Sequence, residues 1–380
     1  MKIAVIGAGA VGAHVAYRLQ QQGAEVVLIE ATTPGSGTSA TSIAWLSSFP
    51  QRAWGEEAGK AALRPRIDLL FHELQREVPG DWLRWSGTLL WGDASEREEF
   101  TRHAHVARDR GVGVEILDAD AARALEPGVR IDDDEVVFWE EGSGWIDGPA
   151  MIAALVDVFT AAGGVLRTGA PVVGFDRVGE RVTAVHLGDG SAIGVDAVVN
   201  AAGSWASHIS AMADLAIPVD LVPGRVFYTP PLPRGEGPTR VINTPSWCGR
   251  PDPSGGYAVH WRGHSQTAHH GSNIASGAAL MAEVARTLPA FAGMEPAGSR
   301  VGIRPMPPGG PIVGAVPWLP NFYVTVSHGG IGWGPLWGWV AARELLHGED
   351  VPELAAMRPG RFYVDPVGID RGADETERAA

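Results

Sequence analysis

A single cysteine, Cys248, stands in the whole 380-residue chain, which excludes an intrachain disulfide and a multi-cysteine metal or iron–sulfur centre. At that scarcity it reads as a small apolar filler, and no metal is expected. Positive charge is also short: 30 Lys and Arg against 44 Asp and Glu leave a net charge of −14. No basic cluster offsets it, which argues against nucleic acid as a partner, although a local positive patch at a substrate site is compatible with it. No apolar run reaches about 18 residues without a polar interruption, so no membrane span is expected. A strand-like run begins almost at Met1 and leaves no room ahead of it for a signal peptide, which makes the cytoplasm the expected location. Against these absences, 45% of the residues are hydrophobic, enough at this length for a large core divided between two structural units.

The most informative segment runs from Lys2 to Glu30, KIAVIGAGAVGAHVAYRLQQQGAEVVLIE. Ile3 to Ile6 read as a buried parallel strand, Gly7, Gly9 and Gly12 open an amphipathic helix, and Val26 to Ile29 form a second strand ending in Glu30. Each part has a physical task. Gly7 makes the tight turn, Gly9 lets backbone approach a pyrophosphate, and Gly12 lets helix and strand pack closely. The positive helix end faces the phosphates, and Glu30 can accept hydrogen bonds from ribose hydroxyls. Strand, glycines, helix, strand and acid in this order indicate a dinucleotide site for NAD or FAD. An acid at position 30 disfavours a 2′-phosphate and hence NADP.

The loop ATTPGSGTSATSIAWLSSF after Glu30 is dense in small and hydroxyl residues. It reads as a surface loop or as a second cradle for phosphate and flavin, with Thr38, Ser39, Ser42, Ala44 and Trp45 as its candidates. Apolar spacing predicts a helix over 60–78, an acidic helix near 96–110, a helix over 150–162, and a hairpin turning at Asp189-Gly190. A strand at 196–200 breaks into Ala201-Ala202-Gly203, small residues that let a ligand come close. Alternating strands at 225–229 and 257–261 suggest an antiparallel sheet. Near the end, a strand at 322–326, a glycine turn and a helix from Trp337 are predicted. Residues 366–380 are charged and small, and read as a disordered tail.

Three separated segments together resemble the D-amino-acid oxidase family of flavoproteins, which includes glycine oxidase, sarcosine oxidase and D-amino-acid dehydrogenase. They are GAGAVG with Glu30, DAVVNAAGSW at 196–205, and GIRPMPPGGPIVG at 302–314 followed by SHGGIGW. The resemblance selects FAD over NAD. It implies an α/β fold: a Rossmann-like FAD domain from residues 1–80, 141–214 and 296–365, interrupted by a substrate domain on an antiparallel sheet from 81–140 and 215–295. It also implies that Val172 holds the adenine, that Ala201, Ala202, Gly203 and Trp205 lie along the cofactor, and that Gly329, Gly330, Ile331 and Gly332 face the flavin pyrimidine end, with the ring lying under the 42–46 loop that carries Trp45.

By the same resemblance Arg304 pairs with a substrate carboxylate and sits at the flavin, where guanidinium geometry suits a carboxylate fork to fork. Tyr228, Arg225 and Arg262 are further candidates for that task, and His328 for a place beside flavin or substrate. The implied reaction is oxidation of a C–N bond in an amine, foremost an amino acid, by hydride transfer to flavin N5, giving an imine. O2 or another electron acceptor then reoxidises the cofactor. The chain departs from many relatives at Pro307-Pro308-Gly309-Gly310, where an acid is absent. No cysteine lies near Arg304, so non-covalent FAD is expected. Trp45, Trp333, Trp337 and Trp339 read as an aromatic-lined pocket or as packing. Two alternatives stay open: an oxidase for a larger amine without a carboxylate, and a non-catalytic FAD-binding subunit.

Overall fold

The computed structural model describes residues 1–48, 58–92, 97–109, 111–132, 135–261 and 277–362. Two sheets organise them. The first has six strands, in the order Ile312–Val316, Leu319–Val326, Ala197–Asn200, Lys2–Ile6, Glu25–Ile29 and Val165–Arg167. All neighbours in it are parallel except the Ile312–Val316 edge. Both faces are covered, which is why Lys2–Ile6 is a continuous apolar run rather than an alternating one. Ile3 and Val5 face a helical layer that includes Ala10–Gln21, Ala58–Glu77, Gly148–Ala161 and Gly330–His347. Ala4 and Ile6 face a three-stranded antiparallel sheet, Val172–Val178, Arg181–Leu187 and Ala192–Gly194. The latter two strands are joined through the predicted Asp189-Gly190 turn.

The second sheet has eight strands, in the order Gly298–Met306, Asp220–Tyr228, Tyr257–Trp261, Trp247–Pro251, Val241–Asn243, Thr88–Gly92, Val136–Glu140 and Val114–Leu117. It gathers strands from both chain excursions, as expected for an interleaved antiparallel layer, with one parallel pair between Val241–Asn243 and Thr88–Gly92. Gly298–Met306, which lies within the 296–365 segment read as cofactor domain, pairs along its whole length with Asp220–Tyr228. Arg304 is therefore carried by the second sheet and presented to the first.

Helices stand at Ala58–Glu77, Arg97–Asp109 and Gly148–Ala161, within a few residues of the sequence reading. The last long helix differs. It begins at Gly330, about two turns before Trp337, because its glycines serve packing. A Cβ at Gly334 would stand 2.5 Å from His14 Nδ1, and one at Gly338 2.7 Å from the His14 carbonyl oxygen. Close contact with the Ala10–Gln21 helix offsets the low helix propensity of these residues. Arg262 and the 366–380 tail lie outside the described residues.

Candidate functional site

A cavity of about 980 Å3 opens at the carboxyl ends of the parallel strands and extends to the face of the eight-stranded sheet. Its first wall is the glycine turn. Gly7 has φ of +98°, and a Cβ there would meet the Ala201 carbonyl oxygen at 2.7 Å. A Cβ at Gly12 would lie 1.8 Å from the Gly7 carbonyl oxygen, so Gly12 serves the helix–strand contact and is not a cavity wall. The Ala10–Gln21 helix starts at Gly9 with no acidic residue in its first turn. One of its N-terminal amides, Ala10 N–H, is met by Ser39 Oγ at 3.1 Å. Glu30 accepts from Ala8 N–H at 2.9 Å through one oxygen and from Thr32 through the other. Its carboxylate is thus fixed at the cavity edge.

A second helix points its N-terminus at the same cavity. Gly329 caps it at φ +73° without a side-chain bond, and His328 and residues 329–332 line the wall. Two helix N-termini converging on one space make it receptive to negative charge.

Between the two sheets runs the loop Ser42–Trp45. Ala44 adopts φ of +51°, a left-handed conformation that costs about 1–2 kcal/mol outside glycine. Three bonds hold it there. Ala44 N–H donates to Ser42 Oγ at 2.9 Å, Ile146 N–H to the Ala44 carbonyl at 3.0 Å, and Arg250 Nε to the Ile43 carbonyl at 2.8 Å. Arg250 is buried, and burial pushes its pKa down against the opposing pull of the Asp252 carboxylate. The indole of Trp45 is fixed by donation to Thr88 Oγ1 at 2.9 Å.

The far wall belongs to the eight-stranded sheet and presents Gly224, Val226, Cys248, His260 and Arg304. Arg304 is half-buried, and desolvation pushes its pKa down. The Ile303 carbonyl, one residue earlier, accepts from both the Thr38 and Ser204 hydroxyls. Thr38 therefore ties the loop to the Arg304 strand with its side chain.

Residues 2–345 match the family described as DAO, FAD dependent oxidoreductase. The chain belongs to that family. Among its relatives, the oxidoreductase YurR of Bacillus subtilis (strain 168), uncharacterized by its name, is 26% identical, covering 93% of this chain and 97% of the relative. Glycine oxidase of Geobacillus kaustophilus (strain HTA426) is 25% identical, covering 97% of this chain and 98% of the relative. Among solved structures, L-proline dehydrogenase from P. horikoshii superimposes with a TM-score of 0.80 at 22% identity, over 95% of this chain and 97% of that one. This last likeness shows the fold.

The protein is thus an FAD-dependent oxidoreductase, and the cavity can be tested against FAD. Its cradle fits. Gly7 and Gly9 line it without side chains, two helix ends supply positive potential, and Glu30 stands where a ribose is expected. Of the residues singled out from the sequence, Gly7, Gly9, Glu30, Thr38, Ser39, Ser42, Ala44, Trp45, Val172, Ala201, Ala202, Gly203, Trp205, Arg304, His328, Gly329, Gly330, Ile331 and Gly332 all line this one cavity.

Tyr228 is not among the cavity walls. Val222, not Tyr228, is the register partner of Arg304, which puts Tyr228 roughly 20 Å further along the strand at about 3.3 Å per residue. Its ring lies instead under Arg300. Arg225 stands on the opposite face of the sheet from Val226, over Phe227. Besides Trp205, Trp45 and Trp333 are tryptophan walls. Trp337 is buried and donates to Ser327 Oγ at 2.9 Å, and Trp339 carries Arg66 and Arg343 on its ring.

Cys248, His260, Gly224, Arg64 and His208 were not foreseen as walls. Cys248 is remote from Arg304 in sequence but lines the same cavity. A glycine inside a strand signals close approach of another group, and Gly224 carried that signal.

Among the described residues no group of three or more potential ligands could hold a metal, and no helix is long and apolar enough to cross a membrane.

Proposed function

We propose that this flavoenzyme oxidises the C–N bond of an amino acid that carries a free carboxylate, producing an imine that water hydrolyses. The observation that supports the reading is Arg304, a half-buried guanidinium in the wall of the cavity that also contains the glycine cradle. A partly desolvated cation at that place favours an anionic group, and the planar fork suits a carboxylate. Bound FAD supplies the two-electron acceptor. The chain supplies binding and orientation: Arg304 holds the carboxylate, the glycine cradle and Glu30 hold the dinucleotide, and the sheet face and Trp45 exclude water from between them. The relatives named glycine oxidase and D-amino acid dehydrogenase are in keeping with this class of substrate. The cofactor unit is assigned to 1–80, 141–214 and 296–365 with Gly298–Met306 lent to the substrate layer, and FAD is held non-covalently.

The test is anaerobic titration of the purified flavoprotein with D-amino, L-amino, N-methyl and carboxylate-free amines, read by bleaching of the flavin spectrum. Bleaching by a carboxylate-bearing amine supports the proposal, and admitting air then separates an oxidase from a dehydrogenase. Bleaching by carboxylate-free amines alone, or by none of the panel, overturns it.

A further inference from the structure

We propose that Gly224 is a positioning residue, one half of a notch in the sheet that sets the height of the Arg304 guanidinium over the substrate site. The inference rests on the carboxylate-binding reading of Arg304. Gly224 and Gly302 are register partners in the antiparallel pair Asp220–Tyr228 and Gly298–Met306. Opposed residues of such a pair project to the same face. Here both lack a side chain, so a two-residue depression opens in a surface otherwise raised by side chains.

Both halves of the depression are filled. A Cβ at Gly224 would stand 3.0 Å from Arg304 Nε, 3.3 Å from its Cδ and 3.5 Å from its Cζ. Arg304 is itself opposite Val222, so its side chain lies diagonally along the neighbouring strand, with Nη2 donating to the Pro223 carbonyl at 3.4 Å. A Cβ at Gly302 would stand 3.0 Å from Thr41 Cβ and 3.6 Å from Thr38 Cα, in the turn that lines the cofactor end of the cavity. Neither glycine has a positive φ. Space, not backbone conformation, is what favours glycine at both positions. One half seats the substrate-binding arginine and the other seats the cofactor loop, so the two are set against a common backbone.

A methyl at Gly224 must lift or turn the guanidinium by a few tenths of an ångström. A fork-to-fork pair is sensitive to such a shift because both hydrogen bonds lose alignment together. A methyl at Gly302 presses on the Thr38–Thr41 turn instead.

The experiment compares Gly224→Ala, Gly302→Ala, Arg304→Ala and the double variant Gly224→Ala/Arg304→Ala as flavin-loaded enzymes. The substrate is the amino acid that bleaches the wild-type flavin fastest. Gly224→Ala is expected to raise KM about tenfold with little change in kcat and with wild-type flavin content. Gly302→Ala is expected to lose flavin while the loaded fraction keeps its KM. In the Arg304→Ala background the Gly224→Ala effect should vanish, since the group it displaces is gone. Wild-type KM in Gly224→Ala, or an undiminished effect in the double variant, overturns the notch. Wild-type kinetics in Arg304→Ala overturns the carboxylate reading itself, a separate outcome.

Discussion

Gly7 lies against Ala201 so closely that a Cβ on the first would come within 2.7 Å of the carbonyl oxygen of the second. The contact joins the glycine turn to the end of the neighbouring parallel strand, where Ala201 N–H in turn donates to the Ile6 carbonyl at 2.9 Å. Gly7→Ala therefore meets two obstacles, a φ of +98° and a backbone clash. It is expected to lose FAD on purification and at least about 2 kcal/mol of stability. Gly23→Ala is the control: its φ is +88° but nothing lies within 4 Å. It should lose only about 1 kcal/mol and keep its flavin. Flavin content and urea midpoints check both.

His14 gives the protein an acid-sensitive joint. It is buried between the Ala10–Gln21 and Gly330–His347 helices, and desolvation lowers its pKa from 6.5 to about 4. The unfolded chain takes up a proton near pH 6.5 and the folded chain only near 4. The stability contributed by neutral burial is fully present above pH 6.5, declines as pH falls through this window, and reaches its floor below about 4. Its size is on the order of 3 kcal/mol. Urea unfolding between pH 7 and pH 4, at roughly half-unit steps, should show this decline in wild type and a flatter profile in His14→Leu. An unaltered slope in the variant would assign the decline to other groups.

Arg304→Ala should lower kcat/KM for a carboxylate substrate by about 10- to 100-fold, the worth of one charge-assisted pair. Arg304→Lys should recover only part of this, because a point charge replaces a planar fork. Steady-state kinetics with an amino acid and its decarboxylated amine decide the point, since the amine should respond to neither substitution.

Glu30→Gln should weaken FAD binding by about tenfold while leaving the fold intact. The amide can still accept from Ala8 or Thr32 N–H, the present partners of the carboxylate, but loses the charge that favours ribose hydroxyls. Titration of the flavin-free protein with FAD, followed by quenching of flavin fluorescence, measures the change. An unchanged Kd would remove Glu30 from the cofactor site.

The proposed dinucleotide cradle is legible in the chain itself because every part of it is local. Strand, glycine turn, helix and Glu30 follow within 30 residues, and the physical demands on each residue come from its immediate neighbours. The same holds for the Asp189-Gly190 turn and for helices with clear apolar spacing. The wall built by the eight-stranded sheet is a different matter. Arg304, Gly224, Cys248 and His260 come from four strands whose pairing brings them together. Register decided that Val226 is a wall and Tyr228 is not, a difference of two residues to which periodicity is blind. The early start of the last helix was hidden because Gly334 and Gly338 are poor helix formers by themselves, and only the His14 surface they pack against explains them. Local sequence thus determined the strand, glycine turn and helix proposed to cradle the cofactor, whereas long-range strand pairing decided which side chains share its cavity, since contacts between distant segments form only when the sheet closes.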